Sequence, residues 1–370
     1  MPKVEQVKLK RSGTGLRVCD PDQACPGFTL FTPMFGDGTV YLLDLQGNVA
    51  HTWRLPYPPG LYGYLTDRGT FFYNGKVLEG PARFISEQPW KGGVALEADW
   101  NGRVLWEVRH PDHHHDGRRL RNGNVLLLCL AAIPRELVPK VQGGIPDTEH
   151  HGDMYGDYLL EMTTDGHVVW EWHSWDHLDF ATDRITAMQE RRHEWTHANT
   201  AEELPDGNII LSFRNTSLVI IISRSTGEVL WKLRAPIIAQ QHAPTLLPNG
   251  NLLIFDNGTH RVDHNMPYSR VIEVDRQTKQ IVWSYQERRL IDFFSPLISN
   301  AQRLPNGNTL ICEGSFGRIF EVTREGEVVW EFVNPHFPIP TWRPNDPANN
   351  AVFRAFRYSE AEVAKARYVS

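Results

Sequence analysis

The chain has 370 residues, 41% of them apolar and 22% charged, with a net charge of −6 and a pI near 6.2. That is room for one large domain or two ordinary ones, and the composition is globular. The acidic balance counts against nucleic acid, which wants a basic stripe, and no apolar run reaches the roughly 18 residues that would cross a membrane.

Residues 1–27 are polar, with Gly and Pro, and read as an N-terminal arm that wraps the domain. The first residues contain no apolar core of a secretory signal, so a cytoplasmic protein is expected. Cys129 and Cys312 sit in apolar strand runs and read as buried thiols, and Cys19 and Cys25 as reduced ones. Residues 28–31 are a short strand. Six hairpins follow, each ending in a tryptophan: Trp53, Trp106, Trp170, Trp231, Trp283 and Trp330. In five of them the tryptophan stands four residues after the second turn residue, as in Asp165-Gly166 before Trp170; in the first the gap is six.

A second element alternates with the first. Leu204-Pro205-Asp206-Gly207-Asn208, Leu247-Pro248-Asn249-Gly250-Asn251 and Leu304-Pro305-Asn306-Gly307-Asn308 each lead into an apolar run, as does Leu120-Arg121-Asn122-Gly123-Asn124. Asp67-Arg68-Gly69-Thr70 is a worn copy. Asn-Gly between apolar runs signals a hairpin, expected here as a type I′ turn with positive φ at both central residues. The period of about 50–60 residues is that of propeller blades. The expected fold is therefore an all-β, six-bladed β-propeller with four-stranded antiparallel blades over residues 28–335, a structure that leaves only short edges. Residues 28–31 are expected to complete the sixth blade and close the ring. Residues 336–370 read as a C-terminal extension packed on the propeller, with a helix over 359–366. Another short helix is expected over 182–194, and 131–157 as an insertion.

The Asn-Gly turns serve as a ruler for the histidines, of which the chain has 16. His242 lies seven residues before Asn249 and His115 seven before Asn122, while His197 lies nine before Asp206. The equivalent in the next unit is Ser299. Histidines in one register predict imidazoles converging at the channel mouth. Whether His114 or His115 faces the channel stays open, with register favouring His115.

His114-His115-Asp116, Trp195-Thr196-His197-Ala198-Asn199, Ser212-Phe213-Arg214, Gln241-His242, Phe255-Asp256-Asn257-Gly258 and the tryptophan hairpins together resemble the bacterial arylsulfate sulfotransferases. The resemblance runs through residues 28–335. It implies a sulfuryl group carried from an aryl sulfate to a phenol on a transiently sulfurylated His242, with His115, His197 and Arg214 as the other catalytic residues. It needs no cofactor. Small aromatic or phenolic substrates are implied, with Trp195, Asn199 and His114 as the expected substrate contacts and Trp195 as the stacking ring. Asp116 is read as orienting His115 or as capping a loop. Well-studied members are exported and longer, with an extra N-terminal β domain and a disulfide, which this chain does not show. Two other readings remain: a metal enzyme (hydrolase, lyase or oxidoreductase on an aromatic substrate) with zinc, iron or copper on His115, His197 and His242, and a non-catalytic interaction propeller.

Overall fold

The recurring turn is built as a three-residue loop. In the fifth blade Leu247 N–H donates to Asn251 O (2.8 Å) and Gly250 N–H to Leu247 O (2.9 Å). Of the turn residues only the glycine has positive φ, 93°, 83°, 87° and 90° at Gly123, Gly207, Gly250 and Gly307. This corrects the type I′ expectation: the loop is a type I turn followed by a left-handed glycine.

The computed structural model describes residues 13–79, 89–186, 189–340 and 344–369; residues 1–12 of the arm lie outside them. Six antiparallel blades form a ring. From the channel outward, blade 1 is Val352–Tyr358, Phe28–Pro33, Thr39–Leu43 and Val49–Arg54. Blade 2 is Pro59–Leu65, Phe71–Lys76, Gly93–Ala98 and Val104–Arg109. Blade 3 is His113–Arg119, Val125–Ala132, Tyr155–Met162 and Val168–His173. Blade 4 is Ala198–Glu203, Ile209–Phe213, Leu218–Ile222 and Val229–Arg234, and blade 5 is His242–Leu246, Leu252–Asp256, Arg270–Val274 and Ile281–Tyr285. Blade 6 is Asn300–Arg303, Thr309–Glu313, Arg318–Val322 and Val328–Val333, with Gly15–Cys19 added outside as a fifth strand. The first strands touch one another in turn around the channel.

The tryptophan hairpins are the outer halves of the blades. Three of their indoles tie a blade to the next: Trp231, Trp283 and Trp330 donate Nε1–H to the carbonyls of Arg276, Arg324 and Leu45, each at 2.8 Å, while Trp106 donates to Glu97 of its own blade. Trp53 is buried and stacks on Phe71 of blade 2, with ring centroids 4.8 Å apart.

Ring closure differs from the expectation for residues 28–31. Phe28–Pro33 pairs with Thr39–Leu43 and with Val352–Tyr358, not with the sixth blade. The physical reason is the phase of the repeat. Each tryptophan hairpin takes its two inner strands from the chain just before it, so the first hairpin has one inner strand too few, and residues 352–358 supply it. The C-terminal extension is thus a blade strand as well as a covering segment. Its helix, Glu360–Tyr368, starts at Ser359 in a capping box: Ser359 Oγ accepts from Glu362 N–H and Glu362 Oε2 from Ser359 N–H. Val363 and Ala366 of that helix pack onto the core between blades 1 and 2.

No helix forms in the described part of 182–194. The stretch instead makes parallel bridges to the 131–157 insertion, Gly143 with Ile185 and Ile145 with Arg191. The short helix Ser174–His177 precedes it. None of the four cysteines is in a disulfide, and among the described residues no helix is long and apolar enough to cross a membrane.

Candidate functional site

The aligned histidines lie in or just before three first strands, and each of these strands bulges within two residues of its histidine. The ladder slips between Leu127 and Cys129 opposite 114–116, between Ala198 and Thr200, and between His242 and Thr245. An extra residue in a strand twists it and re-aims its side chains. The backbone is left-handed at His115 (φ 49°), His197 (φ 51°) and Ala243 (φ 49°), and again at Leu61 and Ser299 at the same ruler position in blades 2 and 6. Such a φ costs an L-residue about 1–2 kcal/mol and persists only where its surroundings hold it. His197 is further from its turn because it stands further along the ladder, opposite Arg214, whereas His242 pairs with Phe255, only three residues past the first strand residue Leu252.

The imidazoles meet. The rings of His115 and His197 are 4.8 Å apart between centroids, His114 and His115 4.9 Å. Phe353, on the closing strand, is 6.2 Å from His115 and 6.5 Å from His242. Trp90 stacks on His115 at 5.1 Å and meets His197 edge-on at 5.8 Å.

Hydrogen bonds fix which nitrogen carries each proton. Asn257 Nδ2 donates to the carbonyls of Ser295 (2.8 Å) and Ile298 (2.9 Å), which turns its Oδ1 to His242 Nδ1 at 2.8 Å. His242 therefore carries its proton on Nδ1 and presents an Nε2 lone pair. His197 Nδ1 is 2.7 Å from Glu194 Oε2, so its Nε2 is likewise the basic atom. His114 Nε2 lies 3.0 Å from Asp157 Oδ1. With its proton there, His114 Nδ1 accepts from His115 Nδ1–H at 2.6 Å, and His115 Nε2 also keeps a lone pair.

Burial, followed by the neighbouring cations, holds His242 and His115 well below the ordinary histidine range. For His242 the cations are Arg214, His197 and Arg354, opposed by the Asn257 bond; for His115 the neighbours are His197, His114, His242 and Arg354. Both are neutral bases near pH 7. Arg214 is 6% exposed. Its N–H donates to His197 O (3.0 Å), and its Nη1 donates to Glu190 Oε1 (2.6 Å) and Asn215 Oδ1 (3.0 Å). Burial works against ionisation of Glu190, but Arg214, with His197 and His260, outweighs it and keeps the carboxyl below its usual range.

The structure brings His115 and His197 into ring contact, sets Phe353 against both His115 and His242, and places His114 behind His115, against Asp157. Two expected substrate contacts are corrected. Trp195 is fully buried, donates Nε1–H to Asp183 O (2.8 Å) and stacks on Phe180 at 4.8 Å, so it belongs to the core of blades 3 and 4. Asn199 uses Nδ2 on Gln241 O (2.9 Å) and Oδ1 on Thr200 Oγ1 (3.0 Å), so it ties blade 4 to blade 5. Among the described residues no three His, Cys, Asp or Glu side chains are arranged to hold a metal ion. Asp116 accepts from Tyr62 Oη–H and Ala201 N–H rather than from His115. Sequence reasoning missed Asp157, Trp90 and Arg354, and read Asn257 as a turn residue. Glu194, three residues before His197, was a carboxylate whose spacing could be read.

Fold and site together define a six-bladed propeller with tautomer-fixed imidazoles at its channel, His115 and His242 among them neutral, and the buried guanidinium of Arg214. The arylsulfotransferase (ASST) family profile matches residues 91–335, and the chain belongs to that family. It is 26% identical over 353 residues to the arylsulfate sulfotransferase AssT of Escherichia coli O6:H1, an alignment covering 71% of this chain and 57% of that protein. The AssT of Lelliottia amnigena is 23% identical over 368 residues, covering 76% and 58%. The chain thus spans a little over half the length of these relatives. A protein of unknown function from Bacteroides caccae shares the fold, with a TM-score of 0.53 and 15% identity over 90% of this chain and 98% of that one.

Proposed function

We propose that the protein transfers a sulfuryl group from an aryl sulfate to a phenolic acceptor by a two-step exchange on His242. The observation that carries this reading is the Asn257 amide, which two carbonyls orient so that the buried His242 offers Nε2 as a free base.

In the first step Nε2 attacks sulfur as the aryl oxygen leaves in line. The N–S bond forms, the S–O bond breaks, and the departing oxygen takes a proton from His197. Glu194, against Nδ1, stabilises the imidazolium from which that proton comes, by the logic of a carboxylate-supported histidine. In the second step the acceptor phenol gives its proton to the His197 Nε2 and its oxygen attacks sulfur, which regenerates His242. His115, held by His114 and Asp157, is the second base, in ring contact with His197. Transfer of this kind is governed by position and charge more than by covalent help from the protein. Arg214 supplies the planar donor fork for the sulfonate oxygens, and the aromatic body has Trp90 and Phe353 to lie against.

Stopped-flow mixing with p-nitrophenyl sulfate and no acceptor tests the first step. The expected result is a burst of nitrophenol of about one equivalent per chain, absent in His242→Ala and followed by turnover once phenol is added. Equal bursts in both proteins overturn the assignment of His242.

A further inference from the structure

The transfer reading leaves unused the most heavily bonded charged group in the channel. Arg354 lies on the closing strand and is 2% exposed. Its Nη1 donates to Tyr62 Oη (2.7 Å) and Asp116 Oδ2 (3.3 Å), and its Nη2 to Asn199 O (2.8 Å), Thr200 Oγ1 (2.9 Å) and Asp116 Oδ2 (3.3 Å). Its guanidinium also lies over the rings of Tyr62 and Phe353, at 4.5 and 5.1 Å. Thr200 Oγ1 in turn accepts from Ala243 N–H at 3.2 Å.

The identity of these partners matters. Asp116 follows His115, Ala243 follows His242, and Asn199 and Thr200 stand two and three residues past His197. Tyr62 follows Leu61, the residue at the ruler position in blade 2. One side chain therefore engages, directly or through Thr200, the backbone or side chain just beyond the bulge in four blades. It sits one layer along the channel from the imidazoles. Arg354 also lines a cavity of about 170 Å³ with Arg118, Thr200 and Glu202.

We propose that Arg354 is a positioning residue for the transfer: it locks the three strands at the histidines in one register. This rests on the transfer reading above. A bidentate guanidinium suits the task because its donors are coplanar and fixed, and misplacement by about 1 Å can cost roughly a hundredfold in rate. The same group also sets a permanent positive charge beside His242 and His115. The other charged or titratable groups facing these two rings are Arg214, His197 and His114. Asp116, which offsets Arg354, is shared with Arg118 at 3.5 Å. Removing Arg354 uncovers the carboxylate and moves the protonation midpoints of both histidines upward.

The test compares the full chain with Arg354→Met, Arg354→Lys and Thr200→Val. Two readouts are taken: the burst rate with p-nitrophenyl sulfate, and the titration of His242 by NMR of 15N-histidine protein. Arg354→Met is expected to lower the burst rate about a hundredfold and to raise the His242 midpoint. Arg354→Lys is expected to keep the midpoint low and still lose rate, because a point charge cannot make the fork. Should Arg354→Met fail to fold, Thr200→Val removes the link to Ala243 with the guanidinium in place and is expected to lower the burst rate while leaving the midpoint low. A burst rate within about threefold of the parent in the folded variants, with an unmoved midpoint and only a lower melting temperature, reduces Arg354 to a strut of ring closure and overturns the proposal. The titration needs no turnover. A midpoint that moves in a protein that never bursts therefore sinks the transfer reading and leaves the role of Arg354 in fixing the histidines standing.

Discussion

At the scale of single residues the account depends on where protons sit. Asn257 holds the Nδ1 proton of His242, so Asn257→Leu frees the ring to present Nε2–H and leaves a buried donor unpaired. The expected effect is a fall in burst rate of at least about a hundredfold, within the range of acid–base effects, with the donor KM little changed. Burst kinetics against p-nitrophenyl sulfate check it, and an unchanged rate contradicts the tautomer argument. Glu194→Gln should leave the burst with nitrophenyl sulfate, whose leaving group needs little protonation, and depress turnover with poorer leaving groups about a hundredfold. A second consequence is pH dependence. The His242 base is held well below the ordinary histidine range, by burial first and then by Arg214, His197 and Arg354. Protonation disables a nucleophile, and a lowered pKa postpones it, so the acid limb of the burst rate should lie below pH 6.5. A limb at or above that value contradicts the description of the site. Among these residues the sequence put His115 and His242 in one register because both keep the same distance to a turn, and His197 two residues off it. It hid Asn257 because Asp256-Asn257-Gly258 also makes sense as a turn, and it misplaced Trp195 because proximity to His197 along a strand says nothing of which face the ring takes.

Elements carry the next level. The tryptophan hairpins were legible because the turn and the tryptophan keep one spacing, and in blades 4, 5 and 6 the indole N–H so placed reaches a carbonyl of the following blade. The bond from Trp330 to Leu45 joins the sixth blade to the first, so it closes the ring. Trp330→Phe deletes it and leaves a gap in a fully buried position. The expected cost is about 2 kcal/mol, read as a lower urea midpoint with the slope unchanged; a loss below about 0.5 kcal/mol contradicts a closing role. The phase of the blades was not legible, because a repeat of four strands can be cut at any strand. Arg354 lay hidden for the same reason. The strand that bears it, Val352–Tyr358, follows a Pro- and Asn-rich stretch outside the repeating pattern and has no tryptophan hairpin of its own to mark it. The helix at 182–194 fails because that stretch has the insertion at 143–145 to pair with, and local propensity yields to that contact.

Across the whole molecule, one cost of this centre is sensitivity to acid. His113, His115 and His242 are buried and neutral, with burial the leading cause in each, and His113 is pushed down to about 3. The unfolded chain protonates these rings below about pH 6.5 while the folded chain does not, so stability is complete above that pH and is lost as pH falls toward the folded values. Each such histidine contributes about 1.4 kcal/mol per pH unit through that window. Melting temperatures should therefore drop steeply between about pH 6.5 and 5, above the range where carboxylates titrate; a flat profile there contradicts burial of neutral imidazoles. The propeller itself admits many chemistries, and the proposed transfer has an intermediate that can be weighed. Rapid acid-free quenching after mixing with an aryl sulfate, followed by proteolysis and mass spectrometry, measures it directly. The account predicts a gain of about 80 Da, the mass of SO3, on the peptide containing His242 and its disappearance on addition of phenol. An unmodified His242 peptide during steady turnover, or the added mass on another residue, contradicts it.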